Sequence, residues 1–332
     1  MPAHWEVLDS DREIFRRELD SFVPDRIFDA HAHLYREADF GGSMPEWLRP
    51  GPAIAGLAEF RARMDEIHPG RRCGGLFFPY PHLSTNTAAA NAFVASEARS
   101  SPDTRAQMLI RPEMDPEFIR ETVRREKFSG LKCYHIYAAS KPTWEAPVEE
   151  YLTEEHVRIA HEEDLSITLH MVRARAMADP ANQSAIRRYC ERYPRMRMIL
   201  AHAARGFNPH HTVEGIGSLR GLGNVWCDTS AVTDCGAYEA IVRALGVSRL
   251  LYGADFPVTH LRSRCVAIGD SFLWLDASNT RLQASHAEIS FTLVAIESLR
   301  ALKVACMSLG LSDAEVEAIF WGNAASMYGV AG

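Results

Sequence analysis

The chain lacks a strong charge excess of either sign, a long apolar run and any paired cysteine motif. Its 332 residues carry 36 Lys and Arg against 43 Asp and Glu, for a formal net charge of −7. That balance gives no electrostatic reason to expect nucleic acid or an anionic membrane as a partner. The longest apolar runs are of strand length, so no transmembrane helix is expected. Met1 to Asp20 is charged and has no apolar stretch of the secretory kind. The seven cysteines, at positions 73, 133, 190, 227, 235, 265 and 306, include no Cys-x-x-Cys pair. That argues against a disulfide framework or a cysteine zinc site, and for reduced thiols in the cytoplasm. No low-complexity segment or Pro/Gly/Ser linker divides the chain, so one domain is expected over residues 1–332.

What the sequence does have is alternation. Asp9 to Phe22 reads as a short helix, with Ile14, Phe15, Leu19 and Phe22 apolar. Strand-length apolar runs then trade places with segments of helical period. The eight expected strands are Ile27–Leu34, Cys73–Pro79, Ala106–Arg111, Gly130–Ile136, Ser166–Met171, Arg197–Ala203, Asn224–Asp228 and Leu250–Ala254. Helices are expected at Ile54–Ile67, Thr87–Ala98, Pro116–Arg125, Glu154–Glu163, Asn182–Tyr193, Val213–Leu219 and Tyr238–Leu245. A loop to about Gln283 and a helix over Ile289–Met307 follow. A last helix, Asp313–Met327, opens on Ser312 with Glu315 at capping-box spacing. Short hairpin turns are absent from this reading, so each strand needs a helical crossover and the sheet is parallel. Eight units close into a (β/α)8 TIM barrel over about 26–310, with an N-terminal helix and an extra C-terminal helix over 312–328. An open doubly wound sheet is the alternative.

The chemistry starts in Phe28-Asp29-Ala30-His31-Ala32-His33-Leu34. On a strand, His31 and His33 share a face, a spacing that suits one transition-metal or zinc ion. Alone, the pair also reads as a polar strand face. Barrel enzymes gather their groups at the C-terminal ends of strands. Lys132 stands on the fourth strand, His170 closes the fifth, His202 the sixth and Asp255 the eighth. Each follows an apolar run, where a charge is costly unless paired or metal-bound. Tyr134 shares a face with Lys132. Arg173 and Arg205 each lie three residues beyond a site histidine and suit a substrate carboxylate. His82, Arg111 and His135 read as loop or substrate-facing residues, Trp144 and Trp274 as lids or packing residues.

These residues, in this order, resemble the amidohydrolase superfamily. Within it they resemble the amidohydrolase-related branch that includes aminocarboxymuconate-semialdehyde decarboxylase. The matching motifs are Asp29-Ala-His31-Ala-His33, His170, Ala201-His202, Tyr252-Gly-Ala-Asp255-Phe-Pro257 and Trp321-Gly-Asn-Ala324. The resemblance implies a metal-dependent barrel in which His31, His33, His170 and Asp255 hold one divalent ion. Zinc is the first expectation, with manganese or iron as alternatives. It casts His202 as the group that polarises substrate or assists proton transfer, and Asp255 as a proton carrier. Lys132 would face the substrate as an ammonium or, carboxylated, bridge a second ion; the one-ion reading is preferred. Tyr134, Arg173 and Arg205 are the expected substrate contacts. The implied function is hydrolysis of a small, carboxylate-bearing lactone, ester or amide by hydroxide formed at the metal. The alternative is non-oxidative decarboxylation of a small unsaturated or aromatic acid at the same ion. A metal-binding protein without turnover is a third reading, disfavoured because structural zinc sites are closed by four protein ligands. A small-molecule substrate and a homo-oligomer complete the expected partners.

Overall fold

In the computed structural model, which describes residues 5–280 and 290–331, eight strands run parallel. They are β1 (Arg26–Arg36), β2 (Arg72–Pro79), β3 (Thr104–Leu109), β4 (Gly130–Tyr134), β5 (Ser166–His170), β6 (Arg197–Leu200), β7 (Val225–Asp228) and β8 (Leu250–Leu251). Each pairs with the next in chain order. The segment after β8 returns to β1 and closes the ring. Ala30 N–H donates to the Tyr252 carbonyl at 2.8 Å, Asp255 N–H to that of His31 at 2.8 Å, and His33 N–H to that of Phe256 at 2.7 Å. The expected (β/α)8 barrel is therefore the fold. A two-residue strand, Ile54–Ala55, adds an antiparallel edge to the outer end of β1.

The strands read as near-continuous apolar runs because both faces are covered, one by the barrel interior and one by helices. Every residue of β5 is buried. The chain is punctuated by caps. Asn86, Asp115, Thr153, Asp179 and Asp234 each accept a backbone N–H at the start of a helix. Such a cap stabilises a helix by about 1 kcal/mol and fixes where the preceding loop ends.

The boundaries differ from the sequence reading where geometry intervenes. Strand β6 stops at Leu200, because the next residues turn left-handed. The helix expected from Val213 begins at Pro209, capped by Asn208. The long C-terminal helix is Val294–Leu309; the expected landmarks Gln283 and Ile289 lie outside the described residues. The last helix is broken into Asp313–Glu317, a wider turn Ala318–Gly322, and Asn323–Tyr328.

One expectation is corrected outright. The region after β8 was expected to be loop, yet it holds a hairpin of β9 (Arg264–Ile268) and β10 (Ser271–Leu275). Its two-residue connection is Gly269-Asp270, with Gly269 at φ +57°. Glycine takes this left-handed conformation without a Cβ clash, and tight two-residue turns need it. All seven cysteines are free thiols. No helix among the described residues is long and apolar enough to cross a membrane.

Candidate active site

The first strand delivers two histidines at once. Its register against β2 slips between Asp29 and Ala32, a bulge in the stretch that carries His31. His31 and His33 then face the barrel interior, both buried, with ring centroids 5.5 Å apart. Phe78 on β2 packs edge-on against both rings, at 4.9 and 4.7 Å. Beyond β8, Asp255 sits at φ +66° and aims its carboxylate at the pair. Its Oδ1 lies 3.5 Å from His31 Nε2 and 3.4 Å from His33 Nε2. Neighbouring ligands about a tetrahedral ion with bonds of ~2.1 Å stand roughly 3.4 Å apart, so the spacing fits a zinc-sized ion. Gly253 makes room for this approach, since a Cβ there would sit 3.0 Å from His31 Cβ and 3.3 Å from Asp228 Cβ.

Electrostatics favours the ligand forms. Burial, followed by the Lys132 charge, pushes His31 down to about 3. Burial likewise lowers His33 and His170. Neutral imidazole is the metal-binding form. Burial would raise Asp255, but the His33 hydrogen bond and the flanking imidazoles hold it at about 2, ionised at neutral pH. His170, at the end of β5, stacks edge-on to His202 at 4.8 Å, and its Nδ1 is buried with no hydrogen-bond partner. His170 lines the same cavity as the trio, but among the described residues it belongs to neither group of ligand atoms close enough to share an ion. His31, His33 and Asp255 therefore fit a divalent ion.

His202 follows β6 in an unusual backbone. His202, Ala203, Ala204 and Arg205 have φ of 58, 51, 59 and 58°, one turn of left-handed helix without a glycine. Each such residue costs about 1–2 kcal/mol, so the surroundings must hold the turn. They do. His202 N–H donates to Asp228 Oδ1 at 2.9 Å, and Thr212 Oγ1 to the Ala203 carbonyl at 3.0 Å. Lys132 lies below, fully buried. Its Nζ stands 3.3 Å from His31 Nε2 and 4.2 Å from the Phe78 ring centroid, and burial lowers it to about 8.

Above these groups opens a cavity of about 420 Å³. His31, His33, His170, His202 and Asp255 line its floor, and Trp47, Tyr80, Tyr134, Phe207 and Trp274 its walls. Sequence reasoning expected Tyr134 to face the substrate and left Trp274 as a lid or a packing residue; both line the cavity. Arg173 and Arg205 are not among the described lining residues. Arg173 pairs with Asp179 at 2.8 Å and donates to the Glu145 carbonyl. Arg205 donates to the Met171 carbonyl and lies over Phe272. His82, Arg111 and His135 are engaged by Ser84, by Thr85 and Thr87, and by Thr143 respectively. Trp144 is exposed. Sequence reasoning passed over Asp228, which ends β7 fully buried and accepts a hydrogen bond from His31 Nδ1 at 2.8 Å. The signal was available: Asp228 follows the apolar run Val225-Trp226-Cys227, as the other site residues follow theirs. Among the described residues, two groups could hold an ion: His31, His33 and Asp255, and His31, His202 and Asp228. In the second, the 2.8 Å contact is a hydrogen bond, so the first is the better ion site.

Residues 28–330 match the amidohydrolase family. An L-fucono-1,5-lactonase from Burkholderia ambifaria is 31% identical over 175 residues, which cover 48% of this chain and 56% of the lactonase. An amidohydrolase from Burkholderia multivorans superposes with a TM-score of 0.61 at 16% identity, over 92% of this chain and 99% of that one. The same protein is also known with zinc bound. A 5-carboxyvanillate decarboxylase from Sphingomonas paucimobilis gives a TM-score of 0.52 at 13% identity, over 93% of this chain and 100% of that one. At such identities the two superpositions speak for the fold alone. With a family match that runs from β1 to the last helix, the chain belongs to the amidohydrolase family.

Proposed function

We propose that the protein hydrolyses a small lactone, with one divalent ion held by His31, His33, His170 and Asp255. The observation that carries this is the convergence of both Nε2 atoms on one Asp255 oxygen, at 3.5 and 3.4 Å, beneath an aromatic-walled cavity. Zinc is the ion of choice for such an all-N/O set with room for substrate. When bound, it would supply Lewis acidity at the carbonyl and activate a water at neutral pH. His202 and Asp255, on the cavity floor, are the groups that take a proton from the water and return it to the ring oxygen. The acyl C–O bond breaks, one water is consumed, and a hydroxy acid leaves.

The walls argue about the substrate. Five aromatic side chains offer flat, apolar faces to a ring. The described lining carries two carboxylates, Asp255 and Asp276, and no lysine or arginine. Arg173 and Arg205 have partners elsewhere. The reading therefore moves from an acidic lactone to an uncharged one, with the lactonase relative as further support. Zinc-loaded protein assayed against neutral sugar lactones, anionic lactones and aromatic acids tests it. Acid release from neutral lactones is expected. Carbon dioxide release from an aromatic acid, with lactones untouched, would select decarboxylation instead.

A further inference from the structure

Asp228 takes no proton in the reaction just described, yet it contacts the His31 imidazole directly and reaches the His202 imidazole through Ser230. Its Oδ2 accepts from His31 Nδ1 at 2.8 Å. Its Oδ1 accepts from His202 N–H at 2.9 Å, Ser230 N–H at 3.1 Å and Ser230 Oγ at 2.5 Å. With its proton directed at Asp228, Ser230 Oγ is left to accept from His202 Nδ1 at 2.9 Å, and the Ser230 carbonyl accepts from the same nitrogen at 3.1 Å. A carboxylate only accepts. His31 must then carry its proton on Nδ1, and so must His202, whose Nδ1 meets two acceptors. Both rings are left with Nε2 bare, the nitrogen that on His31 faces Asp255.

We propose that Asp228 is a positioning residue that fixes both imidazoles in the Nδ1–H tautomer, His31 directly and His202 through the Ser230 hydroxyl. One carboxylate thereby prepares an ion-binding nitrogen and a proton-transfer nitrogen together. This rests on the one-ion reading above. The two arms are separable. Removing the Ser230 hydroxyl takes from His202 Nδ1 its 2.9 Å acceptor and from His31 Nδ1 only a longer 3.2 Å contact, because His31 keeps Asp228 Oδ2 at 2.8 Å, whereas changing Asp228 cuts both arms. Asp228→Asn keeps the shape but turns an NH2 group toward partners that are already donors. Either His31 Nδ1 loses its acceptor, or the turn at His202 does.

The test reads zinc affinity by competition with a chromophoric chelator, and imidazole tautomers from long-range 1H–15N spectra, both without substrate. Asp228→Asn should lose about 10–100-fold in zinc affinity. Ser230→Ala should keep zinc affinity within about threefold, lower kcat at least roughly tenfold with KM unchanged, and show a mixed tautomer at His202. Ser230→Thr, which restores a hydroxyl, should recover both kcat and the Nδ1–H signal. Wild-type zinc affinity in Asp228→Asn, equal impairment of Ser230→Ala and Ser230→Thr, or an Nε2–H tautomer at His202 in the unaltered protein would each overturn the proposal. If Asp228→Asn does not fold, the Ser230 pair and the wild-type spectrum carry the test alone. Affinity and tautomer are read without turnover, so inactivity toward lactones would count against the proposed reaction and leave these readouts standing.

Discussion

Two groups of histidines are equally buried in this protein and keep different company. At the barrel mouth are His31, His33, His170 and His202; between the barrel and the N-terminal segment are His68 and His260. Burial pushes His31, His68 and His260 alike down to about 3. Their company differs. His68 meets the Tyr252 hydroxyl at 2.8 Å and the edge of Phe15; His260 stacks on Trp5 and meets Thr259 Oγ1 at 3.0 Å. The carboxylate beside His260, Glu66, stands 4.0 Å off. At the mouth, two ionised carboxylates lie among four imidazoles, and a cavity opens above them. A buried histidine with a lowered pKa is thus no sign of a site by itself. Convergence of several ligand atoms on one open point is.

The sharpest way to break this contrast is to remove a ligand. His33→Ala should empty the site and lower kcat/KM by more than the roughly 100-fold that loss of a supporting partner costs. Retained activity at full metal content would erase the distinction between the two groups. Next in size, His202→Asn should keep the ion and lose ~10²–10⁴-fold in rate, the usual worth of positioned proton transfer. If metal and activity fall together, His202 is a ligand and the second ion site gains.

His68→Leu probes the other side of the comparison. It leaves the Tyr252 hydroxyl buried without its partner, which costs about 1–3 kcal/mol of stability. A lower Tm with unchanged kcat/KM per folded molecule is expected; a large kinetic loss would mean that the packing layer feeds the site. The smallest effect is expected at Glu18, outside both groups. Hydrogen bonds from Arg300 and Arg17 hold its carboxyl down at about 2. A carboxylate depressed in the folded state stabilises above its ordinary value of 4.5, and the gain fades as pH falls through about 2. The pair is partly exposed, so Glu18→Gln should cost under ~1 kcal/mol near neutrality and nothing below pH ~2. Denaturant titrations at the two pH values would read this.

Much of the barrel was legible because its signals are local. Apolar runs of strand length and helical periods gave eight units, and the ionisable residues closing β1, β5, β6 and β8 named the floor of the cavity. Asp228 carried the same mark at the end of β7 and was overlooked. The arginines show the other limit. Arg173 and Arg205 were placed by counting three residues past a histidine, but both have positive φ, of 78° and 58°, and the chain there does not advance as counting assumes. Their pairing with Asp179 and with the Met171 carbonyl is set by tertiary contacts that no spacing records. The hairpin after β8 was legible in Gly269-Asp270, a two-residue turn signal between strand-like runs. Tyr80, Trp47 and Phe207 became cavity walls only when distant loops met over the mouth.

The central claim is one catalytic ion at this mouth. Titrating metal-stripped protein with zinc while following lactone hydrolysis and bound metal tests it most directly. The account predicts that activity rises with occupancy and breaks at roughly one equivalent, and that Lys132→Ala leaves that stoichiometry intact. Full turnover by metal-free protein, or a break at two equivalents that Lys132→Ala abolishes, would contradict it.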